Sequence, residues 1–287
     1  MQSFTGEQLF PDHNSDYIKA RGISVDSERH TLFYVYHVAN QRNTKARGGI
    51  LEVSLTDTFA KPRLAYVGAQ DLWAVCFVRS TGTLLIATLE KAIRHWCKHI
   101  VSLSRYGEVL QVVDRVAYSY ESVHLVELSG GKVLCGNETC GATQLCTLHV
   151  SRDHRLEFTA RINVPEGFFR FDARVVDSNI HVALVDKQNA HVRLCLLLQS
   201  SSSLVEMSRV DLPDTFAVLW WGDRLLAGRW NRNAKSHAVY ELQRADGALV
   251  AGNLLLSRRE IGTWISTGDS IAVVDRRCNG IFLYAAS

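Results

Sequence analysis

The sequence predicts an all-β fold, on three observations. Its apolar runs are strand-sized, rich in Val, Leu, Ile and aromatics, and broken every few residues by Gly, Asp, Asn or Ser. No stretch keeps the spacing of an amphipathic helix, and one possible helical turn lies in Leu89–His99. The runs fall into fours, and the fours recur along the chain.

The recurrence is plainest from Asp71. Strands LWAVCFV, TLLIATL, IVSLS and EVLQVVDRV are joined by a turn at Ser80-Thr81-Gly82, a polar loop EKAIRHWCKH and a turn at Tyr106-Gly107. From Glu121 the same order returns as SVHLVEL, KVLCG, LCTLHV and RLEFTARINV. From Glu166 it returns as FFRFDARVV, IHVALV, VRLCLLL and LVEMSRVDL, and from Asp214 as TFAVLWW, RLLAG, AVYELQ and ALVAGNLLL. An earlier copy starts at Asp16, with YIKARGISV, TLFYVYHV, GILEVSL and PRLAYV. From Glu260 only three strands remain: GTWIST, DSIAVV and GIFLYAAS. A fourth is available at the other terminus, where SFTGEQLF precedes the first copy. Pairing it into the last sheet leaves no open edge in a ring of sheets. The expectation is one domain over residues 1–287: a six-bladed β-propeller closed by its N-terminal strand.

On these repeats the chain resembles β-propellers of the NHL and WD40-like sort. Val274-Asp275 to Asn279, then Ile281, is similar to the NHL repeat cadence, and Val185-Asp186 with Asn189 is a second, weaker copy. The Trp-Asp and Gly-His pairs of WD40 repeats, the double glycines of kelch repeats and the Asp-box of sialidases do not occur as a repeated pattern. The run YHVANQRNTKARGGILEVSL resembles the first blade of diphthine methylesterases. The resemblance implies the architecture; it carries no site residue over.

Composition bounds the rest. With 47% hydrophobic residues the chain can bury a large core, which excludes disorder as a description of the whole. The N-terminal run MQSFTGEQLFPDHNSDY lacks the basic start and apolar stretch of a secretory signal. No run approaches 18 apolar residues, so membrane insertion is not expected. The seven cysteines are an odd number, and Cys76, Cys135, Cys146 and Cys195 lie in strand-like runs. They read as reduced thiols in the cytoplasm or nucleus. Cys135, Cys140 and Cys146 form no paired C-x-x-C set, so no metal or other cofactor is expected there. G-x-S-x-G, H-E-x-x-H and P-loop motifs are absent.

In a propeller, the loops entering each inner strand and the loops between second and third strands share one face, around the mouth of the channel. The first set carries one acid per copy: Asp16, Asp71, Glu121, Glu166, Asp214 and Glu260, spaced 45 to 55 residues apart. Six carboxylates in a ring repel, which favours a bound cation or basic group; alternatively each accepts backbone N–H groups in its own turn. The second set is basic and includes Arg42, Arg47, Arg94, Arg229, Arg232 and Arg276. Aromatic groups lie among them, with His95 and Trp96 in one loop and Trp230 in another. In all, these loops hold twelve Lys and Arg against four Asp and Glu, although the whole chain is only +3. Such a rim attracts anions.

Three functions follow as expectations. The first is a non-catalytic interaction scaffold whose basic face binds another protein through an acidic or phosphorylated segment. The second is a propeller hydrolase of lactonase or esterase type, with a metal at the channel mouth. The third is binding of RNA or single-stranded DNA by the cations with Trp96 and Trp230.

Overall fold

A computed structural model describes residues 4–8, 22–38, 47–57, 60, 62–68, 71–91, 96–114, 123–137, 144–164, 168, 170–186, 191–246, 248–258, 261–275 and 280–286. Their regular structure is entirely β, with no helix among them. The helical turn anticipated in Leu89–His99 is corrected over residues 89–91 and 96–99; residues 92–95 lie outside the described residues. Both flanks of that segment are strand, with Glu90 opposite Cys97 and Lys91 opposite Trp96.

The chain opens with β1 (Phe4–Gln8). An antiparallel meander follows: β2 (Gly22–Asp26), β3 (Thr31–Val38), β4 (Arg47–Ser54) and β5 (Arg63–Gly68). The next is β6 (Asp71–Val78), β7 (Thr83–Lys91), β8 (Trp96–Leu103) and β9 (Val109–Asp114). Then come β10 (Val123–Glu127), β11 (Lys132–Asn137), β12 (Gln144–Val150) and β13 (Leu156–Asn163). They are followed by β14 (Arg170–Val176), β15 (Asn179–Val185), β16 (His191–Leu198) and β17 (Ser203–Asp211). These last two meanders join into one eight-stranded sheet at a single parallel pair, Asn163 with Ser203. A further meander contains β18 (Thr215–Trp221), β19 (Arg224–Asn231), β20 (Ser236–Ala245) and β21 (Ala248–Arg258). The chain ends in β22 (Ile261–Ser266), β23 (Ser270–Asp275) and β24 (Gly280–Ala286). Strand β1 pairs with β24, from Phe4 opposite Ala286 to Gln8 opposite Phe282.

Local chemistry explains the tight turns. Asp177 and Ser178 both adopt positive φ in the two-residue β14–β15 connection, the backbone that matches strand twist in a hairpin. At the β8–β9 turn Gly107 has φ +88, and a Cβ there would lie 1.9 Å from the Ala65 carbonyl oxygen. Only glycine lets that hairpin pack on β5.

The apolar core is divided among the gaps between neighbouring sheets. Phe33, Ile50, Phe77 and Ile86 fill the gap between the β2–β5 and β6–β9 meanders. Cys76, Leu85, Val133 and Leu148 fill the next, and Leu134, Phe171, Val182 and Leu197 the one after. Val185, Val218 and Ala227 continue the series, then Leu219, Leu226, Trp264 and Tyr284. Tyr34, Val53, Val274 and Ile281 pack the last unit against the first. Strands β6, β10, β18 and β22 thus carry apolar residues into the gap on each of their faces, as a strand buried on both sides requires.

Candidate functional site

The first strands of the meanders, β2, β6, β10, β14, β18 and β22, all line one cavity of about 490 Å³. That volume suits a small molecule. Apolar residues dominate these strands, and β14 departs from the rule. Its sequence Arg170-Phe171-Asp172-Ala173-Arg174 alternates three charged residues with two core residues. Phe171 and Ala173 pack into the core on one face, which turns Arg170, Asp172 and Arg174 to the other.

Asp172 is held tightly. The Trp220 backbone N–H, from β18, donates to Oδ2 at 2.6 Å, and the Ala173 N–H donates to Oδ1 at 2.9 Å. Asp172 lines the cavity and keeps some accessible surface there. Burial nevertheless dominates its proton affinity and pushes the carboxyl up to about 7, against the two N–H bonds, which favour the charged form.

Arg174 occupies the same face two residues later. Its guanidinium carbon lies 4.1 Å over the Trp220 ring, and Nη1 donates to Gly222 O at 2.6 Å and to Asp223 Oδ1 at 2.9 Å. His124, on β10, also lines the cavity, edge-on to the Phe171 ring with centroids 5.0 Å apart. Burial, then the charge of Arg170, lowers its imidazole to about 3, so it is neutral at physiological pH. Gly136 makes room for this pair, since a Cβ there would lie 2.3 Å from the Phe171 ring. Glu127, near the far end of β10, accepts the Arg79 backbone N–H at 2.6 Å. Burial raises its carboxyl above the usual carboxylate range.

These lining groups do not fit a calcium ion. A hard cation takes six to eight oxygens, mostly charged or carbonyl. Here the two carboxyls stand on different strands, accept backbone N–H groups, and are drawn toward the neutral form by burial. Arg79, Arg170 and Arg174 line the same cavity. Among the described residues no three His, Cys, Asp or Glu come together as a metal cluster.

The residues expected from sequence fare unevenly. Asp16, Arg42, Arg94, His95, Glu121, Glu166, Glu260 and Arg276 lie outside the described residues. Arg47, Asp71 and Trp96 stand on strands, opposite Val38, Leu89 and Lys91 respectively. Asp214, Arg229, Trp230 and Arg232 do come together. Arg232 Nη2 donates to Asp214 Oδ1 at 2.6 Å, Arg229 Nε to Pro213 O at 2.9 Å, and the Trp230 N–H to Asp214 O at 2.9 Å. Arg229 and Trp230 belong to β19, not to a loop. At this corner the acid of one loop set neutralises a cation of the other. The Asp214 side chain thus holds a basic group, Arg232.

Sequence reasoning missed Asp172, Arg174, His124 and Arg170. The legible signal was charge at alternate positions inside an otherwise apolar first strand. Of the two tryptophans at the end of β18, Trp221 is buried and Trp220 lines the cavity.

No family model and no curated protein sequence matches the chain. Solved structures do match in fold. A protein from Lactobacillus plantarum aligns with a TM-score of 0.62 at 13% identity, over 100% of this chain and 93% of that one. A periplasmic gluconolactonase of Pseudomonas aeruginosa aligns with a TM-score of 0.62 at 14% identity, over 97% and 84%. A chain of the mitotic checkpoint complex aligns with a TM-score of 0.56 at 6% identity, over 98% and 91%. The architecture is thus that of a β-propeller; no NHL or WD40 motif is attached to it by these matches. No helix among the described residues is long and apolar enough to cross a membrane.

The expectation of a non-catalytic scaffold for an acidic segment is corrected by the same findings. The full-length matches include an enzyme that acts on a small lactone. Two cations of the basic rim, Arg229 and Arg232, moreover have carbonyl and acid partners of their own.

Proposed function

We propose that the chain is a six-bladed β-propeller, closed by β1 on β24, that hydrolyses an ester or lactone in its central cavity with Asp172 as the general base and acid. The ring reading is supported by the β1–β24 pairing and by the apolar packing of the last unit against the first. The reaction class is supported by the likeness in fold to the Pseudomonas aeruginosa gluconolactonase. The observation that carries the site is the Asp172 carboxyl, held in the cavity wall and pushed up to about 7. Groups perturbed by burial in a cleft are where proton chemistry concentrates.

The chemistry needs no metal step. As carboxylate, Asp172 takes a proton from water while the water oxygen adds to the substrate carbonyl carbon. The carbonyl oxygen becomes an oxyanion, and cationic Arg170 in the same wall favours that charge. When the bond to the leaving alkoxide breaks, protonated Asp172 returns its proton to it. An acid and an alcohol are released and the carboxylate is restored. Neutral His124 adds no charge to this wall.

The test is hydrolysis of a panel of lactones and aryl esters by the purified protein across pH. The expected kcat/KM rises through an apparent pKa near 7, and Asp172→Asn lowers it by roughly 100-fold or more with the β circular-dichroism spectrum retained. Turnover that survives Asp172→Asn, or no turnover of any panel member, refutes the reading.

A further inference from the structure

Two hydrogen-bond donors in the cavity wall have no acceptor among the described residues. They are the Trp220 indole Nε1 and the Arg174 guanidinium Nε, both shielded from water. The two belong to one stacked pair. Arg174 Nη1 is already committed to Gly222 O and Asp223 Oδ1, so the guanidinium plane is fixed. Native proteins leave few buried donors unpaired, and those left unpaired near a cavity ask for an explanation.

The charge of the wall points the same way. Its formally charged lining residues are Arg79, Arg170 and Arg174 against Glu127 and Asp172. Burial draws both carboxyls toward the neutral form, whereas guanidinium groups stay charged. With the Asp172 carboxyl pushed up to about 7, the wall near neutral pH is therefore more positive than its residue count suggests.

We infer that the Arg174–Trp220 corner is the subsite for an oxyanion carried by the substrate, a carboxylate or a phosphate. This rests on the proposal that the cavity holds a hydrolysable substrate. An anion at the corner accepts from both donors once the Trp220 ring shifts to uncover them, and the Arg174 plane, held by Gly222 O and Asp223 Oδ1, stays in place. Asp172 precedes Arg174 by two residues on the same face of β14, so the subsite places the rest of the substrate beside the proton-handling carboxyl. The indole N–H selects for an acceptor; the guanidinium selects for charge.

Calorimetric titration with gluconate and with glucitol tests this, because the two differ by one carboxylate on the same six-carbon chain. Inorganic phosphate, at matched ionic strength, reports the other oxyanion. Gluconate or phosphate is expected to bind, with glucitol at least about tenfold weaker, the scale of a hydrogen bond to a charged group. Trp220→Phe keeps a ring under Arg174 and removes the N–H; it should weaken the anion about tenfold while the unfolding midpoint holds. Equal affinity for gluconate and glucitol, no binding of either anion, or an unchanged anion affinity in Trp220→Phe overturns the subsite. The two proposals fail separately. Asp172-dependent turnover of a neutral lactone without anion preference removes only the subsite. Anion binding lost in Trp220→Phe, with no turnover of any substrate, removes only the hydrolysis.

Discussion

Replacing Asp172 by Asn should destabilise the protein in acid and stabilise it above neutrality. Burial pushes the folded carboxyl up to about 7, whereas the ordinary value for Asp is 3.8. Between those values the folded state keeps a proton that the unfolded chain has released. Wild-type stability therefore falls as pH rises through this window, and the loss is complete above 7. A difference of about 3 pKa units corresponds to about 4 kcal/mol at 1.36 kcal/mol each. This is an upper value, because the carboxyl borders a cavity wide enough for water. Asn cannot ionise and escapes the loss. It offers one carbonyl where the carboxyl offers two oxygens to the Trp220 and Ala173 N–H groups. One N–H then faces the amide NH₂, at a cost of about 1–3 kcal/mol.

The two effects compete, and pH decides between them. Near pH 4 only the lost acceptor counts, so the variant is less stable by about 1–3 kcal/mol. Near pH 8.5 relief of the buried charge exceeds it, and the variant is more stable by about 1–3 kcal/mol. Urea unfolding of both proteins at the two pH values measures the difference, with equal m-values required. Other titrating groups are common to both chains and cancel. A stability difference that does not change with pH would refute the account of Asp172. So would a variant that is worse at pH 8.5 than at pH 4, since the carboxylate would then be the stabilised form.

Two further outcomes probe the frame around the site. Arg105 joins buried Asp26 at 2.5 Å and Glu52 at 3.4 Å while lying over Phe33 and Phe77, so Arg105→Met strands the Asp26 charge. Urea unfolding near pH 7 should show a loss of about 3–5 kcal/mol, and a loss below about 1 kcal/mol would mean that solvent reaches Asp26. Removing residues 1–8 bares the edge of β24; a lower thermal midpoint and concentration-dependent association by light scattering are expected, and an unchanged monomer would show that β1 adds nothing to the ring.

Much of the fold was legible because its determinants are local. Each four-strand set carries its own alternation and turn residues, as in the Asp177-Ser178 hairpin, and the three-strand remainder from Glu260 pointed to a partner at the other terminus. The connection between β19 and β20 was misjudged because Arg229, Trp230 and Asn231 are polar or amphipathic and still pair with Ala238, His237 and Ser236. Strand ends that project into water tolerate such residues, so polarity alone does not mark where a strand stops. The site was less legible for a different reason. Arg170, Asp172 and Arg174 lie within a strand, and their meaning depends on which neighbour faces them. Only the packing of β14 on β18 brings Trp220 to Asp172, 48 residues away in sequence.

The same contact separates architecture from chemistry. Among the described residues, three first strands use a side chain to take a backbone N–H from a neighbouring first strand or from the turn that ends it. Ser24 Oγ accepts from Phe77 at 2.8 Å, Glu127 from Arg79 at 2.6 Å, and Asp172 from Trp220 at 2.6 Å. The Ser24 bond is buried and involves no charge. A hydroxyl is therefore sufficient to join two first strands. A carboxyl makes the same bond at Asp172 while carrying a net penalty of up to about 4 kcal/mol when it is ionised. Architecture alone gives no reason to prefer the costlier acceptor. A group that must release and recover a proton near neutral pH does give one, and proteins accept such a loss of stability where a site requires it. On the proposed hydrolysis the carboxyl is kept for chemistry, and Asp172→Ser should keep the strand contact and abolish turnover.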